Sequence, residues 1–417
     1  MMLRTFQFLP FLLLSVTVFA QSKQVLFIGN SYTGVNNLPV LTKDLALSLQ
    51  DTLIIDANTP GGTTFNSHTN NSTSLSKIGL GTWDYVILQA QSQEPSFPPA
   101  QVASQTYPYA AILVDSILSA NECTVPLFYM TWGRENGDAG NCASYPVICT
   151  YDGMQSRLRD SYLEMALDNQ GEVSPVGAAW KYVRDNHPTI DLYSADESHP
   201  SAAGSYLAAC VHYASIYKKS PIGATYTFSL NASDAAILQN AAKLIVIDSL
   251  ANWDFGPAGA ESIFSSSNIS GMEYGFTNQS NNTNQYFWDF GDGSTSILAS
   301  PNHTYSMDGT YTVTLISSNN CDADTSTSSI TINSSDIVTE VGNNFTIRNN
   351  STDWTVLSTS NQKFNLDLYS LQGQLIGSYS MVDNSLTVIK PNSKGIYILS
   401  IHADGSLGKT IKKVIVD

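Results

Sequence analysis

Side chains able to make and break covalent bonds are sparse in this chain, and its six histidines narrow the search. His303 and His402 fall in a Ser/Asn/Thr-rich C-terminal region, His187 stands beside Pro188, and His212 lies in an apolar helical pattern. Each reads as a surface or internally satisfied histidine. His68 sits in a polar loop, where it can border a cleft. His199 differs in context, because it belongs to Asp196-Glu197-Ser198-His199-Pro200 and directly precedes a helical pattern. An imidazole oriented by a carboxylate is a general base near neutral pH. Serine is a weak nucleophile until such a base takes its proton. Ser31, in Phe27-Ile28-Gly29-Asn30-Ser31-Tyr32-Thr33, follows the first apolar run at once, with Gly29 relaxing the turn. The chemistry these residues specify is acyl transfer: Ser31 as nucleophile, His199 as base and Asp196 as its orienting acid.

Acyl transfer also needs donors aimed at the developing oxyanion. The backbone N–H groups of Gly61 and Gly62, within Pro60-Gly61-Gly62-Thr63, are unobstructed by side chains, Gln89, Gln91 and Gln93 carry side-chain amides, and Ser31 supplies its own N–H. Taken singly these signals are weak, since Asp-x-x-His also occurs as a metal pair or helix cap. No second His or Asp cluster accompanies it, so no metal and no cofactor is expected.

Something must bring these residues together from distant positions. Val25–Ile28, Leu53–Asp56, Tyr85–Leu88, Val125–Thr131 and Ile190–Tyr193 are apolar runs without alternation, the pattern of strands buried on both faces of a parallel sheet. Helical patterns run around Pro39–Leu49, Val102–Ala120, Met154–Leu167, Gly177–Asp185, Ala202–Tyr217 and Asp234–Ala251. The alternation predicts a doubly wound α/β domain with a mostly parallel five-stranded sheet, which gathers its site at the strands' carboxyl ends. Ser31, Gly62, the glutamines, Asp196 and His199 each follow a predicted strand.

Four such blocks in this order resemble the SGNH (GDSL-like) hydrolases over residues 24–256. Gly29-Asn30-Ser31-Tyr32-Thr33 is similar to the family's first block, with Asn30 where many members have Asp. Gly62 matches the second-block glycine, and Asp196, His199, Pro200 and Gly204 match the last block. The resemblance implies a flavodoxin-like sheet, Ser31, His199 and Asp196 as nucleophile, base and acid, and Gly62 as an oxyanion donor. The third block departs from the family's Gly-x-Asn-Asp: the Asn position falls on Gln93 and the glycine on Gln91. Gln can donate the same amide bond from one methylene further out, and a lost donor costs about 100- to 1000-fold in rate. Some similar subfamilies pair a Gln-rich third block with a Gly-Gly…His second block, which makes His68 a substrate contact. Trp132-Gly133-Arg134 ends the fourth run, where Trp132 offers a platform for a sugar ring and Arg134 a charge.

Composition changes after Trp253, and long helical periodicity gives way to short strands and Gly-containing turns. Trp288-Asp289-Phe290-Gly291-Asp292-Gly293, Pro301-Asn302-His303-Thr304-Tyr305 and Gly309-Thr310-Tyr311-Thr312-Val313 resemble a PKD domain over 261–333, implying an Ig-like β-sandwich. Asp289 and Asp292 read as turn-formers there. After a polar break at Ser334–Asp336, residues 338–417 resemble the C-terminal sorting domain of type IX secretion cargo. The matching residues are Asp367-Leu368-Tyr369-Ser370-Leu371-Gln372-Gly373, Lys394-Gly395-Ile396-Tyr397-Ile398 and Lys412-Lys413-Val414-Ile415-Val416. That resemblance implies a Bacteroidetes-type bacterium and the type IX machinery as a partner.

The expected layout is a signal peptide over 1–20, a hydrolase domain over 21–256 and two all-β domains over 261–333 and 338–417. Arg4, the apolar run Phe8–Phe19 and the small-residue end at Ala20 carry the signal. No later run is apolar enough for a transmembrane helix, so a secreted or cell-surface location is expected. With 35 acidic and 19 basic side chains the net charge is −16, which disfavours nucleic acid and anionic membranes as partners. Five cysteines in an exported chain suggest disulfides with one thiol left over. Cys142 and Cys149 are expected to staple a loop, Cys123 and Cys210 can pair, and Cys321 is the expected leftover. The function these readings predict is a secreted serine esterase acting on a small-molecule or carbohydrate ester. A non-catalytic surface-binding protein on a decayed hydrolase fold is the alternative.

Overall fold

The computed structural model describes residues 21–332, 338–341, 345–349, 353–358, 364–380, 385–403 and 409–416. The expected signal peptide and the break at Ser334–Asp336 lie outside the described residues. The chain divides into two units, Met1–Pro257 and Ala258–Asp417.

In the first unit the strands β1 (Ser22–Ile28), β2 (Thr52–Asn58), β3 (Tyr85–Leu88), β4 (Val125–Tyr129) and β5 (Glu172–Ser174) form one sheet in the order β2-β1-β3-β4-β5. Every pairing is parallel. This is an α/β doubly wound sheet of flavodoxin-like order, whose switch point lies between β1 and β3. The register sets Ile28 beside Asn58 and Leu88, so the first three strands end level and release their loops at one edge.

Both faces of the sheet are covered, which is why its strands read as unbroken apolar runs. Val25 and Phe27 point into one core with α1 (Leu38–Ser48), α4 (Val176–Asn186), α5 (Ala202–Tyr217) and α6 (Ala232–Val246). Leu26 and Ile28, alternating with them, enter the other core with α2 (Tyr107–Ala120) and α3 (Tyr151–Asp168). Residues 203–217 of α5 are buried all round, so that helix shows no polar face in sequence.

Two elements differ from expectation. The edge strand is Glu172–Ser174 and not Ile190–Tyr193, whose residues pack as a loop with only Tyr193 bridged to Pro200. Three residues with Val173 as the sole aliphatic leave no strand pattern to read, whereas Ile190, Leu192 and Tyr193 are apolar because they fill the core beside Trp180. The helix expected over Val102–Ala120 is two, Pro99–Gln105 and Tyr107–Ala120. Pro108 lacks an N–H and fits only in a helix's first turn, so the second helix begins there.

The second unit is all antiparallel β. Phe264–Ser270, Glu273–Asn278 and Asn302–Thr304 form one sheet, and Gln285–Asp289, Thr295–Ser296, Gly309–Ser318 and Ala323–Ile332 a second. Phe276, Trp288, Phe290, Tyr305, Val313 and Leu315 form the core of this part. Between Val338 and Val416 lie two further four-stranded sheets with Trp354, Val356, Leu366, Leu368, Leu399 and Ile401 in their core.

Cys142 and Cys149 are disulfide-bonded. The free cysteine is the fully buried Cys210, so it does not pair with Cys123, and the leftover thiol is not Cys321. Closing a short loop removes unfolded-state entropy worth about 2–3 kcal/mol. Replacing Cys142 and Cys149 together by Ser is expected to lower the melting midpoint of the first unit by roughly 5–8 °C in calorimetry.

Candidate active site

Ser31 opens a single helical turn, Ser31–Gly34, just beyond β1, with Asn30 as its N-cap. Asn30 is buried, and its Oδ1 accepts the Tyr32 N–H at 3.1 Å while its Nδ2 donates to the Thr63 carbonyl at 3.2 Å. A carboxylate could not make the second bond, which gives a physical reason for Asn at this position. Gly29 is required by close approach, since a Cβ there would stand 2.7 Å from both Gln89 Oε1 and Thr33 Oγ1.

His199 lies in the loop that leads into α5, and Ser194–Pro200 forms a closed turn. Ser194 N–H donates to the His199 carbonyl at 2.8 Å, Glu197 N–H donates to the Ser194 carbonyl at 2.9 Å, and Glu197 takes a left-handed φ of 60°. The turn aims His199 Nε2 at Ser31 Oγ, 2.8 Å away, and His199 Nδ1 at Asp196 Oδ2, 2.5 Å away. Asp196 Oδ1 accepts the backbone N–H groups of Ser198 and His199 at 3.1 and 2.9 Å. Burial pushes the Asp196 carboxyl up, but its bonds to His199 and Ser198 outweigh that and hold it below the ordinary value. It is thus an anion that fixes the tautomer with Nδ1 protonated and Nε2 free to accept from the Ser31 hydroxyl. Such an arrangement can move the hydroxyl proton to His199 as the oxygen attacks a carbonyl carbon. Asp196 and His199 remain open to solvent, with side chains 50% and 34% exposed.

What holds this turn is aromatic. Tyr32 stacks on Trp132 at 4.8 Å between centroids, Trp132 stacks on Trp180 at 3.8 Å, and Tyr32 meets the His199 ring edge-on at 5.3 Å. Tyr32 shares a 2.6 Å hydrogen bond with the Ser198 hydroxyl, and Trp132 Nε1 donates to the Ser198 carbonyl at 3.1 Å. Trp132 is therefore fully buried and is not the sugar platform expected from sequence. Arg134, two residues on, is one-third exposed.

The oxyanion candidates separate. The Ser31 and Gly62 N–H groups make no hydrogen bond among the described residues, and Gly62 lies exposed with φ 71°. Gln89 is fully buried, and its Oε1 accepts Asn30 N–H at 2.9 Å and the Thr33 hydroxyl at 3.0 Å. It supports the Ser31 turn from beneath. Gln93 Nε2 donates to the buried Asp138 at 2.7 Å, which fixes which way its amide faces. Gln91 Oε1 accepts the Gln93 and Glu94 N–H groups at 2.8 and 3.1 Å, leaving its amide nitrogen without a partner among the described residues. His68 does not border a cleft: it is fully buried, with Nε2 on the Gly29 carbonyl at 2.9 Å and Nδ1 on Ser74 Oγ at 2.7 Å. Burial pushes its imidazole down, so His68 is a neutral brace behind Gly29.

Sequence reasoning missed three contributors. Ser198 stood in the Asp196–Pro200 string without a role of its own, and Asp138 and Glu94 were not singled out. Ser198 meets Tyr32 and Trp132 across 166 and 66 positions, Asp138 meets Gln93 across 45, and Glu94 is distinguished by burial, none of which leaves a local pattern in sequence. Glu94 is the sharpest case, since its Oε2 is buried with no hydrogen-bond partner among the described residues and burial pushes its carboxyl up to about 7. Among the described residues, no group of three or more His, Cys, Asp or Glu gathers as metal ligands would, and no helix is long and apolar enough to cross a membrane.

Residues 257–334 match the PKD domain family, in agreement with the resemblance read over 261–333. No curated protein matches the chain significantly. Among solved structures it is similar to a DUF4886 family protein from Bacteroides uniformis, at 18% identity over 55% of this chain and 96% of that one, TM-score 0.46. It is also similar to a proposed SGNH hydrolase from Slackia heliotrinireducens, at 28% identity over 46% of this chain and 97% of that one, TM-score 0.37. The PKD1 domain of the Vibrio cholerae metalloprotease PrtV is 31% identical over 18% of this chain and 98% of its own, TM-score 0.17.

Glu94 carries a pH prediction. A carboxyl raised in the folded state binds its proton more tightly than in the unfolded chain, so the native state loses stability as pH rises from about 4.5 to about 7. Glu94→Gln is expected to match the parent in denaturant midpoint at pH 4 and to exceed it at pH 8. Equal midpoints at both pH values would show that the carboxyl is not strained by burial.

Proposed function

We propose that this chain is a secreted serine esterase that cleaves ester bonds through an acyl-enzyme on Ser31, with an acetyl ester of a carbohydrate as its substrate class. The observation that carries the reading is the continuous relay Ser31 Oγ–His199 Nε2, His199 Nδ1–Asp196, at 2.8 and 2.5 Å. In the first half-reaction Ser31 Oγ attacks the carbonyl carbon and His199 takes its proton. The oxyanion is held by the N–H groups of Ser31 and Gly62 and by a third-block glutamine amide. Collapse breaks the bond to the alcohol oxygen, which leaves with the proton from His199. Water then attacks the acyl-enzyme with His199 again as base, releasing the acid and restoring Ser31.

In this reading residues 1–20 direct export, 21–256 carry the chemistry, 261–333 act as a PKD spacer and 338–417 as a type IX sorting domain. The PKD match supports an extracellular setting. A surface-binding protein on a decayed hydrolase fold is the outcome if the chemistry is absent.

Hydrolysis of 4-nitrophenyl acetate and of an acetylated xylo-oligosaccharide tests the proposal. Ser31→Ala and His199→Ala are expected to lower kcat by about 10⁴-fold or more, and Asp196→Asn by about 10⁴-fold, because these groups act as one unit. A fluorophosphonate is expected to label Ser31 in the parent and not in Ser31→Ala. Replacing Gln93 or Gln91 by Ala separates the two amides, the true donor costing about 100- to 1000-fold in kcat. A parent indistinguishable from Ser31→Ala on both substrates, with Ser31 unlabelled, would sink the esterase reading and leave the binding one.

A further inference from the structure

Arg134 stands at the edge of the proposed site and is tied to it on both sides. Trp132, two residues before it, is the middle ring of the stack that begins at Tyr32. Glu135, directly after it, donates its N–H at 2.9 Å to the carbonyl of Glu197, inside the turn that carries Asp196 and His199. Its charge is felt at the site: burial pushes the Tyr32 hydroxyl up, and Arg134 is among the groups that oppose this.

The guanidinium is nevertheless underused. Its described side-chain bond is a long one, Nη1 to Asp138 Oδ1 at 3.5 Å, and its Nε is buried without a partner among the described residues. Asp138 is fully buried and already shared, taking Gln93 Nε2 at 2.7 Å and Asn141 Nδ2 at 2.9 Å on Oδ2, and Gly140 N–H at 3.2 Å on Oδ1. It anchors one edge of the guanidinium without pairing fully with it. Other arginines of this unit are committed elsewhere. Arg184 lies over Tyr151 at 4.0 Å and donates to the Glu135 carbonyl at 3.1 Å, and Arg157 reaches Asp160 and Ser161. Two acids of the neighbouring turn are also engaged, Asp196 with His199 and Glu197 with Asn136 Nδ2 at 3.0 Å.

Building on the esterase reading above, we propose that Arg134 is a specificity-determining residue that receives a substrate carboxylate, so that the preferred ester is carried by an acidic sugar such as a uronate. The terminal N–H groups of a guanidinium form a planar fork that a carboxylate matches bidentately, which a neutral sugar cannot do. In a chain of net charge −16 an anionic substrate is repelled almost everywhere, so a cation only partly paired at the rim is a selective feature. Aspartate at 138 sets the angle of the fork while leaving its outer edge for the ligand.

The test uses the full-length protein and compares acetylated oligogalacturonate with acetylated xylo-oligosaccharide. The parent is expected to favour the galacturonate in kcat/KM. Arg134→Gln should reduce that preference by about 10-fold or more, chiefly through KM, and Arg134→Lys should fall between, because lysine keeps the charge and loses the fork. Free oligogalacturonate should inhibit the parent more strongly than free xylo-oligosaccharide, and 0.5 M salt should weaken that inhibition. This comparison needs no variant to fold. Equal preference in the parent, or a loss in Arg134→Gln shared in equal proportion by both substrates, would overturn the assignment while leaving a Ser31-dependent esterase intact. Absent Ser31 labelling would instead remove the esterase reading itself.

Discussion

A histidine on a solvent-exposed turn stays in place only if something rigid lies beneath it, and for His199 that support is the stack Tyr32–Trp132–Trp180. It joins four parts of the chain: the turn after β1, the end of β4, helix α4 and, through Ser198, the turn that holds His199. Each aromatic pair contributes about 0.5–1.5 kcal/mol beyond its buried area, and the phenol and indole each add a hydrogen bond to one residue, Ser198. Stiff rings with two rotatable bonds lose little entropy when fixed. The 2.8 Å contact between Ser31 and His199 follows from this arrangement, because both residues are neighbours of groups in the stack.

A second layer of support is polar and equally buried. The sheet releases β1, β2 and β3 at one level, which crowds three loops together and leaves backbone groups that water cannot reach. Gln89 satisfies the Asn30 N–H and the Thr33 hydroxyl, and His68 satisfies the Gly29 carbonyl while Ser74 occupies its other nitrogen. Unpaired, each buried group would cost about 1–3 kcal/mol. Aromatic stacking fixes His199 and this network fixes the Ser31 turn, so the two halves of the candidate site are located by different forces.

The parts of this design that were legible in sequence are the local ones. Ser31 directly after an apolar run, and Asp196 three residues before His199, are patterns within a few positions, and the buried-strand runs of β1 to β4 gave the α/β class. What sequence could not give is direction. Trp132 ended a strand and looked available to a sugar, yet it faces inward onto Trp180; His68 looked like a cleft residue and instead braces Gly29. Glutamine at 89, 91 and 93 all offered amides in sequence, with the resemblance aligning Gln93 to the family Asn, and only three-dimensional partners separate a buried brace, a residue bound to Asp138 and one whose nitrogen has no partner among the described residues. The strand Glu172–Ser174 escaped because an edge strand of three residues with a single aliphatic carries no periodicity.

The contrast between support and surface bears on how such a site discriminates. Burial takes up the aromatic side chains around Ser31, so none of Tyr32, Trp132 or Trp180 can supply an apolar platform to a ligand. What the site presents outward is polar: the imidazole, the Asp196 carboxylate, the exposed Gly61-Gly62 turn and a partly exposed guanidinium. Recognition through such groups depends on direction and charge more than on buried area, and it rejects a ligand lacking the complementary group because a polar partner is left unpaired. For the esterase proposed above, such a surface favours a short acyl group on a polar alcohol over a long hydrophobic acyl chain. The same burial that makes the turn rigid therefore narrows the chemistry it can accept.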